Sequence, residues 1–115
     1  MPELPRREAT RPSAGSFVGG PGETFHRDIG APLDPRLDLR RHSGAGFEWG
    51  YDGGGPGQLA LAILADHLAD EARALSEYKR LRNGVIAAIR DDQWTLTGAE
   101  IDGALVGFVE VAMTL

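Results

Sequence analysis

Residues 42–59 read HSGAGFEWGYDGGGPGQL, and two different periodicities meet inside this stretch. Its first part alternates aromatic residues with polar or small ones, which is typical of a strand with one buried face. A glycine-rich loop, residues 52–57, follows and leads into the apolar run LALAILA at residues 59–65. Leucine and alanine favour helix, and only Ile63 in that run is β-branched. The stretch therefore predicts a strand, a sharp turn and a helix buried on most sides.

Short strands are also predicted on the N-terminal side of this stretch. Apolar and polar residues alternate over residues 24–29, which indicates a first strand. Leu37 and Leu39 alternate with charged residues, and a polar loop separates them from residues 47–51. Because both segments have period two and the loop is of ordinary length, residues 36–51 predict a β-hairpin.

Two more helices are predicted on the C-terminal side. Apolar residues between Leu75 and Ile89 fall within one arc when each is rotated by about 100°, so they define the buried stripe of a second helix. Residues 94–96 then read as a short extended connector. Thr97 and Glu100 have the spacing of a capping box, which predicts the start of a third helix. Glycines and β-branched residues suit helix and strand equally over residues 103–115.

These elements predict an α+β fold, with a small antiparallel sheet of two or three strands packed against two or three helices. Residues 1–22 are rich in proline and glycine and contain few large apolar side chains. Such a segment cannot bury enough surface to offset its ordering entropy. We therefore expect a disordered tail over residues 1–22 and a single α+β domain over residues 23–115.

Composition excludes several classes of function. The hydrophobic content of 42% and charged content of 25% are those of a globular protein. The absence of cysteine excludes disulfides, thiolate nucleophiles and cysteine-based zinc sites. The formal net charge of -5 disfavours nonspecific binding to nucleic acid. No apolar run approaches the roughly 20 residues that span a bilayer, so we expect a cytoplasmic protein with no membrane partner.

The 42–59 stretch resembles an uncharacterised family, domain of unknown function 6166, whose members carry a run close to HSPxGFEWGYGGSGPAQLALALL. The resemblance extends over about residues 33–101. This chain departs from the family at Gly44, where proline is usual, and at Asp52 and Gly54, where glycine and serine are usual. The family occurs in bacteria, archaea and their mobile elements. The resemblance therefore implies a possible association with mobile elements, and it implies no activity.

Glycines before a helix can present free amides at the positive end of the helix dipole, where phosphate or carboxylate binds. Gly53, Gly54 and Gly55 are the candidates for this role. Pro56 lacks an amide hydrogen, and Asp52 would repel an anion. The alternative interpretation is that the glycines only allow a sharp reversal from strand to helix.

His42, Ser43 and Glu48 suggest a hydrolase, with histidine as base and serine as nucleophile. Adjacent residues at a strand end point in opposite directions, however, so the two side chains are poorly placed to share a proton. Their alternative role is to satisfy loop amides. The candidate binding residues are then His42, Ser43, Glu48, Gly53, Gly54, Gly55 and Gln58.

The aromatic residues of the stretch have two possible roles. Phe47, Trp49 and Tyr51 fall on one face of the predicted strand and are expected to be core residues that cover the first helix. The alternative is an exposed aromatic strip for a partner. Pro56 belongs with these aromatics to the structural part of the motif.

No cofactor and no metal are predicted, because His26, His42 and His67 lack the spacing of a zinc site. The leading hypothesis is a small noncatalytic binding or regulatory module that recognises a protein or a nucleic acid. The alternative is a small enzyme or ligand sensor that binds a phosphorylated or carboxylate metabolite at residues 52–57. No catalytic residue is assigned, and the identity of the partner stays open.

Overall fold

A four-stranded sheet and three helices form the regular structure of the described residues. The computed structural model describes residues 15–21, 23–26, 30–44 and 46–114, with only the backbone described for residues 25–26 and 107–114. The elements in chain order are β1 (Ser16–Gly20), β2 (Glu23–His26), β3 (Ala31–Pro32), α1 (Gly54–Leu68), α2 (Glu71–Gly84), a 3-10 turn (Ile86–Ala88), β4 (Trp94–Thr97) and α3 (Gly98–Thr114). The predicted α+β class is confirmed.

The sheet is antiparallel with the strand order β3-β2-β1-β4. Phe17 lies opposite Leu96 in the pairing of β1 with β4, and both side chains are buried. Along β4, Trp94 and Leu96 are buried whereas Thr95 and Thr97 are exposed. This alternation means that β4 turns one face to the core, as expected for an antiparallel sheet covered on one side. Residues 94–96, predicted to be a connector, are therefore a paired strand.

The predicted boundary between tail and domain at residue 22 is wrong. Residues 16–20 form β1, which pairs with β2 on one side and with β4 on the other. Phe17 supplies the fully buried side chain that links this strand to the helices. The sequence rule failed because one buried phenylalanine among small residues is a weak hydrophobic signal. Residues 1–14, the rest of the predicted tail, lie outside the described residues.

Helix α1 is the centre of the core. All residues from 55 to 65 are buried, so the prediction of a helix buried on most sides is confirmed. Three alanines on this helix, Ala60, Ala62 and Ala65, are small enough to allow neighbouring elements to approach closely. Ala69 ends the helix in a left-handed conformation, with φ 52°.

Helices α2 and α3 begin with side-chain caps. The Asp70 side chain accepts a hydrogen bond from the Arg73 amide at 3.1 Å and so caps α2. Thr97 and Glu100 form the predicted capping box, with the Thr97 amide 2.8 Å from Glu100 Oε1 and the Glu100 amide 3.1 Å from Thr97 Oγ1. The open question about residues 103–115 is resolved as helix as far as Thr114.

Helix α2 is shorter than the sequence predicts. Ala74, Tyr78 and Leu81 are its buried residues, and it ends at Gly84 instead of continuing to residue 89. A 3-10 turn follows, in which Ile86 is fully buried. The predicted apolar stripe therefore extends beyond the end of the helix, because the 3-10 turn places the Ile86 side chain in the core.

The predicted hairpin over residues 36–51 is wrong. The described part of this segment contains no strand, and it runs instead as an irregular chain over the surface of the helices. Arg36, Gly46 and Gly50 adopt positive φ values of 55°, 119° and 88°. A left-handed residue interrupts the alternation of side chains that strand pairing needs. The alternation of apolar and polar residues over residues 36–51 therefore does not come from strand pairing.

Candidate functional site

Residues 47–51, called here the aromatic segment, lie against the end of the 3-10 turn. The Gly50 amide donates to the Ile86 carbonyl at 3.0 Å, and Trp49 Nε1 donates to the Asp91 carbonyl at 3.1 Å. Arg90 Nη1 in turn donates to the Gly50 carbonyl at 3.2 Å. Two of these bonds hold the Gly50 backbone without a strand ladder. The third holds the Trp49 ring in place at the surface.

The aromatic side chains are less buried than a core strand would make them. Phe47 and Trp49 are half-buried and pack against the edge of the core, and Tyr51 is 47% exposed. The Trp49 ring meets the Trp94 ring edge to face, with centroids 5.7 Å apart. The prediction that all three aromatics are core residues is therefore wrong for Tyr51 and only partly met by the other two.

A shallow depression of about 230 Å³ lies between these side chains, and we call it the aromatic hollow. It is lined by Phe47, Glu48, Trp49 and Tyr51. The Tyr51 hydroxyl donates a hydrogen bond to Glu48 Oε1, and this bond raises the pKa of Tyr51 above its ordinary value. The hydroxyl thus holds the Glu48 carboxylate beside the rings.

Glu48 also lies against the start of α1. A Cβ atom placed on Gly55 would be 2.3 Å from Glu48 Oε1 and 2.6 Å from Glu48 Cβ, so only glycine leaves room for this side chain. A carboxylate near a helix N-terminus interacts favourably with the helix dipole. Arg36 is paired with Asp38 and Glu71 and not with Glu48.

The glycine-rich stretch is mostly helix and not loop. Gly53 is the N-cap of α1, and its carbonyl accepts from the Gly57 amide at 2.9 Å. A Cβ on Gly54 would lie 2.5 Å from the His42 carbonyl oxygen, so this glycine allows the chain before it to cross closely. Asp52 forms an ion pair with Arg82 at 3.0 Å. The prediction of a loop over residues 52–57 therefore holds only for its first two residues.

Gln58 is fully buried and makes four hydrogen bonds to the backbone of the preceding chain. Its Oε1 accepts from the amides of His42 at 2.6 Å and Ser43 at 3.0 Å. Its Nε2 donates to the carbonyls of Pro35 at 2.7 Å and Arg40 at 3.0 Å. The side chain of glutamine has two donors and two acceptor positions, so its hydrogen-bonding capacity is complete. Gln58 therefore fastens residues 35–43 to α1.

His42 and Ser43 are placed by this contact and serve the local structure. The His42 ring lies on Tyr78 with centroids 4.6 Å apart, and burial lowers the pKa of His42, helped by the positive charges of Arg40, Arg82 and Lys79. Its Nε2 is buried and has no hydrogen-bond partner among the described residues. The Ser43 hydroxyl donates to the Gly46 carbonyl at 3.1 Å, which closes a turn.

A hydrogen-bonded contact between a histidine and an aspartate, which sequence reasoning missed, joins α1 to α3. His67 Nε2 lies 2.8 Å from Asp102 Oδ1, and the His67 side chain is 1% exposed. The signal available in the sequence was a histidine near the end of a mostly apolar helix. Asp102 could not be assigned as its partner because the two residues belong to different helices, whose relative placement the sequence pattern does not give.

The described residues contain no group of three or more His, Cys, Asp or Glu side chains that could hold a metal ion. None of the helices within this part of the chain is long and apolar enough to cross a bilayer.

Comparison with known proteins gives one match. The chain matches neither a curated protein nor a solved structure. A family model described as a family of unknown function, DUF6166, matches residues 18–107. The match begins within β1, includes the aromatic segment, Gln58, α1 and α2, and ends within α3, and so covers most of the 115 residues. The chain therefore belongs to the family of unknown function DUF6166.

Proposed function

We propose that this chain is a small noncatalytic binding module that recognises a partner protein through the aromatic hollow. The observation that carries the proposal is the aromatic hollow at residues 47–51, in which Tyr51 is exposed and Phe47 and Trp49 are half-buried. Tyrosine and tryptophan supply large contact areas with few rotatable bonds, and they are enriched in protein interfaces for that reason.

The backbone contacts of the aromatic segment support this interpretation. Three hydrogen bonds hold residues 49–50 to the segment around Ile86 and Asp91. A surface whose backbone is already fixed loses little further freedom when a partner binds. The Tyr51 ring is also restrained, since a Cβ on Gly53 would lie 2.5 Å from its Cε2 atom. The aromatic hollow is thus preorganised for binding.

The start of α1 favours the binding module over the alternative of an anion sensor or small enzyme. The Glu48 carboxylate lies close to Gly55, and the His42 carbonyl oxygen lies close to Gly54. Pro56 has no amide hydrogen to offer. These negatively polarised oxygens would repel an incoming phosphate or carboxylate. The glycines are therefore explained by close packing within the chain.

A peptide selection tests the proposal. Random peptides displayed on phage are selected against the full chain and then measured against Tyr51→Ser, with Val106→Ala as the control. Val106 is an exposed apolar residue on α3, outside the aromatic hollow, so its loss matches the loss of exposed apolar surface. We expect selected peptides to bind Tyr51→Ser about tenfold more weakly or worse and to bind the control unchanged, as for an interface hot spot.

Two outcomes would contradict the proposal. One is a set of peptides whose binding survives the loss of Tyr51. The other is stabilisation of the chain by phosphate, nucleotides or simple carboxylates in a thermal-shift screen. A ligand at one hundred times its dissociation constant would stabilise the folded state by about 2.7 kcal/mol. That result would favour the anion sensor.

A further inference from the structure

The chemistry of the aromatic hollow identifies the kind of group that it would receive, an inference that rests on the binding function proposed above. Three aromatic side chains and one carboxylate line the same depression. The faces of aromatic rings carry negative potential, so they attract cations and not anions. A carboxylate among them strengthens the same preference. The hollow is therefore complementary to positive charge.

Glu48 is available for an incoming cation. It accepts a hydrogen bond from the Tyr51 hydroxyl, and it has no ion-pair partner among the residues that the structure describes. Nearby charged groups are already engaged, since Asp52 is paired with Arg82 and the Arg90 guanidinium is bound to the Gly50 carbonyl. A neutral apolar group in the hollow would remove water from this carboxylate without replacing its interactions, which is costly. A cationic group replaces them.

The size of the aromatic hollow limits the ligand. Its volume of about 230 Å³ is smaller than the roughly 300 to 1,000 Å³ of pockets that hold a small molecule. It suits one side chain of a larger partner. The formal net charge of -5 also favours association with a basic partner at long range. We propose that the aromatic hollow receives a single arginine or lysine side chain from a basic segment of a partner protein.

Matched peptides test this proposal by NMR on the full chain. The probes are blocked pentapeptides of glycine with one central residue: arginine, lysine, citrulline or norleucine. Citrulline and norleucine keep the approximate shape of arginine and lysine but carry no charge. The Trp49 indole resonance reports binding because Trp49 lines the hollow. We expect the charged peptides to shift this resonance and their neutral counterparts to bind about fivefold more weakly or worse.

Variants separate the ring contribution from the carboxylate contribution. Glu48→Gln and Tyr51→Leu are each expected to weaken binding of the arginine peptide about three- to fivefold, and Val106→Ala is expected to leave it unchanged. Each variant is first checked for a folded spectrum, so that loss of binding is not loss of structure. Equal binding of arginine and citrulline peptides, with sensitivity to Tyr51→Leu, would overturn the cation proposal and leave the binding module intact.

Failure of the binding function has a different signature. If neither these pentapeptides nor the selected phage peptides shift the Trp49 resonance, both proposals fail. A single-stranded oligothymidine that shifts it, where the basic peptides do not, would also overturn them and indicate stacking of nucleic-acid bases on the rings.

Discussion

Gln58 holds the irregular chain that precedes α1 in place. Its buried amide bonds to four backbone groups between Pro35 and Ser43, a part of the chain with no strand or helix to satisfy them. Buried backbone groups without partners are costly, so an irregular segment that covers a core needs such a side chain. In the sequence, Gln58 is one of the candidate binding residues, and that role stays a prediction. Its four hydrogen bonds give it a structural role.

Substitution of Gln58 is expected to be severe. Gln58→Leu keeps the approximate volume of the side chain but removes its hydrogen bonds to two amides and two carbonyls. With about 1 to 3 kcal/mol for each unpaired buried group, we expect a loss of about 3 kcal/mol or more in the free energy of unfolding. Urea denaturation measures it, with Gln93→Leu at an exposed position as the control. A loss no larger than that of the control would show that water forms hydrogen bonds to the backbone groups that Gln58 binds.

His42 gives the chain a specific dependence on pH. Burial and neighbouring positive charges lower its pKa in the folded state, so the unfolded chain takes up a proton more readily. Stability from this residue is therefore complete above the unfolded pKa of about 6.5 and decreases as pH falls from there towards the lowered folded value.

The matching variant is His42→Phe, which keeps a ring against Tyr78 and cannot titrate. We expect the free energy of unfolding of the unmodified chain to fall more steeply than that of His42→Phe between about pH 7.5 and pH 5. Denaturation curves across this range measure both slopes. Parallel slopes would mean that His42 titrates alike in the folded and unfolded chain.

At the scale of elements, the helices were predictable and the hairpin was not. The buried run at residues 59–65 and the capping box at Thr97 carry local signals that the structure confirms. The alternation at residues 36–51 arises instead from an irregular chain that turns aromatic residues partly inward, with Gly46 and Gly50 at positive φ. Backbone conformation at glycine is permissive, so a glycine in the sequence does not reveal which sign of φ it adopts.

Two glycine substitutions in helices should have opposite effects. Gly54→Ala would place Cβ 2.5 Å from the His42 carbonyl oxygen, which Gln58 holds in position through the adjacent amides. We expect a loss of about 2 kcal/mol from overpacking. Gly103→Ala meets no atom within 4 Å inside α3 and should gain about 1 kcal/mol from helix propensity.

Thermal or urea denaturation of the two variants gives the comparison directly. Each glycine lies within a helix, so the variants differ in what the new methyl group contacts. Stabilisation by both would show that the chain before α1 moves aside easily, and the account of Gly54 as a close-packing site would fail.

At the scale of the whole molecule, β1 has the largest structural role for its length. It lies between β2 and β4 in the sheet, and Phe17 inserts into the core. A chain that begins at residue 23 lacks this strand. We expect it to lose cooperative unfolding, whereas a chain that begins at residue 15 keeps β1 and should retain it. That residues 1–14 form a dispensable tail stays a prediction, which the longer truncation also tests.

Circular dichroism during heating distinguishes the two truncated chains. A sharp transition in the chain that begins at residue 23 would show that the sheet can re-form without β1. In that case residues 23–115 would be sufficient for a stable fold, as the predicted boundary at residue 22 implies, although β1 is part of the sheet.

The place of β1 in the sheet also sets an order of events during synthesis. Phe17 in β1 lies opposite Leu96 in β4, so a ribosome synthesises β1 first and β4 only after α1 and α2 are complete. Until then the growing chain carries β1 with one side unpaired, a form of edge that can associate with other chains. The helices close through local contacts, which form quickly, and the sheet must wait for the most distant pairing in the fold. Pairing with β4, the last of the described strands to be translated, thus covers the open edge of β1.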